Sequence, residues 1–159
     1  MNNISIVEFI KKSPKTELHL HIEGTLEPEQ MFLFAKRNNV QISFKNINEV
    51  KEAYNFNNLE SFLEIYYEGA KVLLKENDFF ELTWAYVLKC KEDNIVHTEI
   101  FFDPQTHTNR GISFDIIING IYKALKKAEE EFGLSFKIIM CFLRHLSEEE
   151  CFKILDQAL

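Results

Sequence analysis

The sequence has few of the residues that interrupt regular structure. Its 159 residues include 3 prolines and 5 glycines, and 46% of them are hydrophobic. This composition excludes a disordered or low-complexity chain, and the length allows a sizeable buried core. Internal repeats and linker-like segments are also absent. We therefore expect residues 1–159 to form a single domain.

Cysteine is scarce and is not arranged in pairs. Cys90, Cys141 and Cys151 show no CxxC spacing, and an odd number of cysteines argues against a disulfide framework. We expect all three to be reduced residues in apolar surroundings.

An excess of basic charge and long apolar runs are lacking too. The formal net charge is −7, with acids spread along the chain, which argues against a nucleic-acid or polybasic membrane surface. No stretch approaches eighteen apolar residues, and Met1 to Lys12 lacks the apolar core and cleavage site of a signal peptide. We predict a cytoplasmic protein that binds a small neutral molecule, with no nucleic-acid and no membrane partner.

Three segments have the pattern of a β-strand. Residues 15–22 alternate two kinds of side chain with the period of two of a strand with different faces: Glu17, His19 and His21 on one side, and Leu18, Leu20 and Ile22 on the other. The second predicted strand is 95–102. The third, 135–142, has a nearly continuous apolar run that is typical of burial on both faces.

Helical patterns fill the chain between and after these strands. Four lie before the second strand: 29–38, which Pro28 opens, and 49–54, 59–74 and 78–91. Another extends from the cap Ser113 to Gly133, and the last follows the capping pair Ser147 and Glu150. This alternation predicts an α/β fold with a parallel sheet and helices outside it.

Three strands are few for a closed structure, and the last helix is still apolar and periodic at the final residues. Eight β/α units close a barrel of about 250 residues. We therefore expect the first three or so units of a TIM (β/α)8 barrel, with extra helices between strands 1 and 2. The chain would then be an incomplete N-terminal portion of a longer protein, and its open sheet edge predicts self-association.

His19 and His21 are the candidate metal ligands. Residues two apart on a strand point to the same side, about 6.5 to 7 Å apart, so their imidazoles can converge on one ion. Both lie near the end of the first strand, where barrel enzymes place their chemistry. A catalytic zinc site normally needs a third ligand; the candidates are His97, His107 and His145, for which we favour a structural role.

The run Lys15 to Leu26, KTELHLHIEGTL, resembles the opening motif of the adenosine and adenine deaminase family. Residues 101–111 and 142–149 are similar to its adenine-specific subgroup. The resemblance implies a (β/α)8 barrel with one Zn²⁺, two of whose ligands would be His19 and His21. It also implies hydrolytic deamination of a purine, such as adenine to hypoxanthine and ammonia in purine salvage.

The motifs that would supply the remaining ligands and the catalytic acid do not occur in the sequence. The resemblance therefore assigns no catalytic residue to this chain, and we expect the chain alone to be inactive. We interpret Glu99 as a structural carboxylate. The loop 103–111, which follows the second strand, is the better candidate for contact with a ligand.

Two departures from the adenosine-specific pattern bear on the substrate. Glu23 stands where that pattern has an aspartate that reaches the ribose, and Phe101 stands where an arginine is frequent. Both favour a free base over a nucleoside, so Glu23 and Gly24 are the candidate substrate contacts; a salt-bridged structural role for Glu23 is an equal alternative. The other hypotheses are an adenosine deaminase and a non-catalytic binding or assembly module.

Overall fold

The computed structural model describes residues 5–159. The first four residues, part of the segment without a signal-peptide pattern, lie outside this range. Three strands form a parallel sheet in the order β1 (Lys15–His21), β2 (Ile95–Phe102) and β3 (Ser135–Met140). The predicted α/β class with a parallel sheet is therefore confirmed.

Eight helices accompany the sheet in the described range: α1 (Ile6–Lys12), α2 (Pro28–Asn38), α3 (Ile47–Ala53), α4 (Leu59–Ala70), α5 (Glu76–Glu92), α6 (Pro104–Thr108), α7 (Phe114–Phe132) and α8 (Glu148–Ala158). A 3-10 turn at Ile22–Thr25 follows β1. The predicted cap residues lie at the helix ends, although the Ser113 side chain makes no capping hydrogen bond to α7. Pro28 begins α2, Gly133 ends α7 in a left-handed conformation with φ 74°, and Ser147 and Glu150 form a capping box.

One face of the sheet is covered by helices and the other is open. Alternate residues of β2, Ile100 and Phe102, are buried against α5 and α7, whose Phe79 and Ile121 are also fully buried. On the opposite face Leu18 is 57% exposed. Each helix in residues 5–159 is too short or too polar to span a lipid bilayer.

The strict alternation predicted for β1 is wrong at His19. Pairing with β2 skips from Leu18 to Leu20, and His19 has φ 70°, so one extra residue is inserted as a bulge. The bulge reverses the side on which the preceding residues lie. Glu17 therefore faces the helices, where its carboxylate accepts a hydrogen bond from the Tyr86 hydroxyl at 2.7 Å, and Leu18 lies on the open face.

Hydrogen bonds at the end of α4 hold the long helical segment between β1 and β2 in place. The Arg110 guanidinium donates hydrogen bonds to the carbonyl oxygens of Ala70, Lys71 and Leu73 at 2.9, 3.0 and 3.3 Å. These carbonyls lie at the end of α4 and just beyond it, where no further α-helical turn donates N–H groups to them. The next helix is fastened by the buried Asp78, which accepts from the amides of Leu74 and Lys75. These contacts hold the C-terminal end of α4 and the segment that joins it to α5.

Candidate metal centre

The chemistry-bearing side chains meet where the three parallel strands end. His21 is the last residue of β1, Asp103 follows β2, and Cys141 follows β3. Each of these residues offers one atom that can ligate a metal, and these three atoms lie within 4.8 Å of one another. Parallel strands bring their carboxyl ends to the same edge, so residues far apart in the chain share one site.

His19 and His21 lie together on the open face of the sheet. Their ring centroids are 5.9 Å apart, and both rings stack on Phe101, at 4.5 and 5.5 Å. His19 occupies the bulge, in a backbone region that non-glycine residues seldom adopt. Such conformations concentrate at functional sites, where the surrounding structure maintains them. The bulge places two imidazoles beside one aromatic ring.

One nitrogen of His21 is held by a carboxylate. Its Nδ1 lies 3.0 Å from Oδ2 of Asp103, and because a carboxylate oxygen can only accept, Nδ1 carries the proton. In a neutral imidazole, Nε2 then has a free lone pair. Histidines that bind metals in proteins are commonly oriented in this way. The donor chemistry of His19 and His21 therefore fits zinc, which is commonly bound by imidazole nitrogens.

Behind the histidine pair lies a buried network that holds Asp103. The Tyr66 hydroxyl donates to Oδ2 of Asp103 at 2.5 Å and lies 3.2 Å from Oε2 of Glu23. Glu23 is 3% exposed, and its Oε1 accepts from the backbone N–H of Asp103 at 2.9 Å and from Nε2 of His107 at 3.2 Å. Burial raises the pKa of Glu23, but the hydrogen bond from His107 and the other donors lower it below the usual value.

His107 is fully buried within this network. Its Nδ1 lies 2.8 Å from Nη2 of Arg110, which can only donate, so the ring proton is on Nε2 and points at Glu23. The ring packs edge-on against Phe79 at 4.8 Å. Both ring nitrogens of His107 and the Oε1 atom of Glu23 are thus engaged by other groups of the protein.

A cavity of about 370 Å³ opens beside His21 and Asp103. The other lining residues are Leu20, Gly24, Phe62, Leu63, Tyr66 and Tyr67. A mostly apolar wall with a few converging polar groups is typical of small-molecule sites. Gly24 lies on this wall, whereas Glu23 lies behind it.

The remaining candidates lie away from the pair. His97 is near the start of β2, where it contacts the Ser135 hydroxyl and Glu99. His145 is exposed in the turn after β3. Neither joins His19 and His21. The predicted loop 103–111 does contribute, through Asp103 and His107, although part of it is the helix α6.

Asp103 and Tyr66 were not among the individual site residues predicted from the sequence. A signal for Asp103 exists, because an acid directly after β2 must lie beside a histidine that ends the neighbouring parallel strand. Tyr66 has no comparable signal, since it is one of several aromatic residues on a helix outside the sheet.

Comparisons with known proteins show what the sequence and the fold resemble. The family model described as adenosine deaminase matches residues 14–159. The adenine deaminases of Acinetobacter baylyi and Wolinella succinogenes are each 61% identical to the chain, over 152 and 155 residues. These matches cover 96% and 98% of the chain but 46% and 47% of those proteins, so the chain spans about half the length of the curated relatives it matches.

Two solved structures show the same fold. The adenine deaminase of Arthrobacter aurescens matches with a TM-score of 0.87 and 44% identity, over 91% of this chain and 44% of its own. A Burkholderia ambifaria amidohydrolase with bound zinc matches with a TM-score of 0.82 over 98% of this chain and 43% of its own. At 21% identity, the second match supports the fold alone.

Proposed function

The chain belongs to the adenosine deaminase family, and from this membership we propose that the protein carrying this sequence is a zinc-dependent adenine deaminase, which hydrolyses adenine to hypoxanthine and ammonia. The observation that carries the proposal is the pair His19 and His21, which share the open face of the sheet at the end of β1. The names of relatives up to 61% identical favour adenine over adenosine.

The architecture in this proposal is a (β/α)8 barrel of which the chain forms the first three units. Three parallel strands in sequential order support it, as does the match to 44% of an adenine deaminase structure. In a barrel the face with His19 and His21 would be interior, which gives a reason for its openness in the described residues. Helices α2, α3 and α4 are the extra helices between the first two strands.

The metal part of the proposal assigns His19 and His21 as two zinc ligands. Bound zinc would lower the pKa of a water molecule so that hydroxide forms near neutral pH. This chain's contribution is to present two imidazoles on one face and to hold His21 through Asp103. Phe101, stacked on both rings, limits their rotation. We assign no catalytic acid or base to the described residues.

The substrate part of the proposal places a purine base in the cavity beside His21. A flat, largely apolar ring suits a wall built from Phe62, Tyr66 and Tyr67, and the absence of a side chain at Gly24 keeps the wall open. Glu23 would act indirectly, because its oxygens are already engaged by buried donors. A direct contact between Glu23 and the substrate stays a prediction.

The remaining expectations belong to the same proposal. A small purine ligand without nucleic-acid or membrane partners and a cytoplasmic location accord with the net charge of −7. Self-association of the isolated chain accords with its uncovered sheet face.

The decisive experiment compares two substrates with purified, zinc-loaded protein that carries this sequence. We expect kcat/KM for adenine to exceed that for adenosine by at least about a hundredfold, because a pocket shaped for the base must exclude the ribose. His21→Ala should abolish hypoxanthine formation and zinc retention, whereas His145→Ala should leave both unchanged. The 159-residue chain by itself should be inactive.

Two outcomes would contradict the proposal. A higher specificity constant for adenosine would make the protein an adenosine deaminase. Undiminished activity and zinc content in His21→Ala would remove the metal centre from the strand end.

A further inference from the structure

We propose that Tyr66 is a positioning residue for the metal centre: its hydroxyl holds the Asp103 carboxylate, and through that carboxylate it orients His21. This inference rests on the proposed function, since it concerns the support of a zinc ligand. It assigns a role to α4, a helix that lies outside the sheet and contributes no ligand.

The geometry places both supporting contacts on one oxygen. Oδ2 of Asp103 accepts from the Tyr66 hydroxyl at 2.5 Å and from Nδ1 of His21 at 3.0 Å. The direction of the carboxylate therefore depends on Tyr66 as well as on His21. If the hydroxyl were removed, Asp103 could turn away, and the imidazole would lose the contact that selects its tautomer.

The protonation of Tyr66 suits this role. Burial and the neighbouring carboxylates of Glu23 and Asp103 raise the pKa of Tyr66 far above its usual range. The hydroxyl therefore remains a donor throughout the physiological range. Its single proton lies in the 2.5 Å contact with Asp103, the shorter of the two carboxylate contacts.

Glu23 fixes the other end of this arrangement. Its Oε1 accepts from the backbone N–H of Asp103, so the same residue is held through its main chain by Glu23 and through its side chain by Tyr66. His107 restrains Glu23 in turn. Arg110 holds the C-terminal end of α4 by hydrogen bonds to Ala70 and Lys71, and this restricts the position of the Tyr66 hydroxyl.

Tyr66 is also part of the cavity wall beside His21. Its ring and its hydroxyl therefore have separable tasks: the ring shapes the cavity, and the hydroxyl supports the ligand. Tyr66→Phe keeps the first and removes the second. The adjacent Tyr67 lines the same cavity, and its hydroxyl makes no hydrogen bond with the described part of the chain, so Tyr67→Phe is a matched control.

The test measures zinc affinity directly, without activity. Metal-free protein carrying this sequence is titrated with Zn²⁺ against a chromogenic chelator, and the unfolding temperature of the metal-free form is recorded for each variant. Loss of a partner behind a metal-bound histidine typically weakens affinity by about 10- to 100-fold. We expect a loss of that size in Tyr66→Phe and a change of less than about twofold in Tyr67→Phe.

A double variant shows whether Tyr66 acts through Asp103. Asp103→Asn should weaken zinc binding, and adding Tyr66→Phe should weaken it little further, because both changes interrupt the same connection. Zinc affinity in Tyr66→Phe equal to that of the parent, even with a lower unfolding temperature, would overturn the inference. The inference would also be overturned if the loss of zinc-binding free energy in the double variant equalled the sum of the losses in the two single variants.

The design separates this inference from the proposed function. If zinc binding is the same in the parent and in His19→Ala and His21→Ala, the proposed metal centre is wrong, and the role of Tyr66 is wrong with it. If zinc binding depends on both histidines and zinc affinity is the same in Tyr66→Phe as in the parent, only the present inference is wrong.

Discussion

Gly120 lies in α7 at its close approach to α5, and we predict that alanine at this position destabilises the protein. A Cβ at position 120 would lie 2.4 Å from the carbonyl oxygen of Glu76, 2.6 Å from Cβ of Phe79 and 3.0 Å from the backbone nitrogen of Phe80. Ordinary contact begins at 3.4 Å, so the methyl group would overlap the carbonyl by about 1 Å. These neighbours are backbone or backbone-attached atoms, so the two helices themselves would have to move.

Two opposing effects decide how much Gly120→Ala changes the free energy of unfolding. Alanine in a helix interior is more favourable than glycine by about 1 kcal/mol. Overpacking a close contact costs about 1–3 kcal/mol and occasionally more. Because rigid backbone is involved at Gly120, we expect the upper end of this overpacking cost. The free energy of unfolding should then fall by about 2 kcal/mol net, which lowers the unfolding midpoint by roughly 4–8 °C.

Thermal and urea unfolding of Gly120→Ala and Gly69→Ala would test this reasoning. Gly69 is also helical and buried, but its Cβ would meet only the side-chain ends of Met31 and Leu26, at 3.2 and 3.3 Å. Those ends can shift, so Gly69→Ala should change the free energy of unfolding by less than about 1 kcal/mol. A Gly120→Ala protein as stable as the parent, or equal losses in both variants, would refute the argument.

Two further predictions concern buried hydrogen bonds. Glu23→Gln should lower the free energy of unfolding by about 2–3 kcal/mol at pH 7, because an amide cannot satisfy all the donors that bind the carboxylate. Burial raises the pKa of Glu23 but the hydrogen bond from His107 and the other donors lower it below about 4.5, so the carboxylate stabilises the protein above that pH. The difference between parent and variant in urea unfolding should therefore shrink from pH 4.5 to pH 3, and a constant difference would contradict this. Tyr86→Phe should cost about 1 kcal/mol in thermal unfolding, since its hydroxyl joins a β1 carboxylate to Thr98 at 2.7 and 2.6 Å; the half-exposed Tyr122, changed to Phe, should cost nothing measurable.

The order of elements could be predicted because it depends on local patterns. Apolar residues at helical spacing and the capping pair Ser147 and Glu150 indicate a helix wherever the segment packs. The strands β2 and β3 were recognised within two residues for a similar reason. The prediction missed α1 and α6, which are seven and five residues long, because so few residues carry only a weak periodic signal.

The direction of side chains along β1 could not be predicted from alternation. A bulge depends on how a strand pairs with its neighbour, and the register between β1 and β2 is a property of residues about eighty positions apart. His19 and His21 still share a face, because the inserted residue is His19 itself and alternation is regular from there to His21; both rings stack on Phe101. The expectation for Glu17 did not survive, because it lies before the inserted residue.

The sequence by itself determined the α/β class, the parallel order of strands and the histidine pair, because periodicity, capping and a two-residue spacing are local features of the chain. Only the tertiary structure decided that Asp103 lies in hydrogen-bond contact with both His21 and Tyr66, and that Glu23 binds protein donors in a buried network. These contacts join residues from β1, the turn after it, α4 and the segment after β2, between 37 and 84 positions apart. Their hydrogen bonds require donor and acceptor atoms to lie about 3 Å apart, and this occurs only when helix α4 packs beside the ends of the strands.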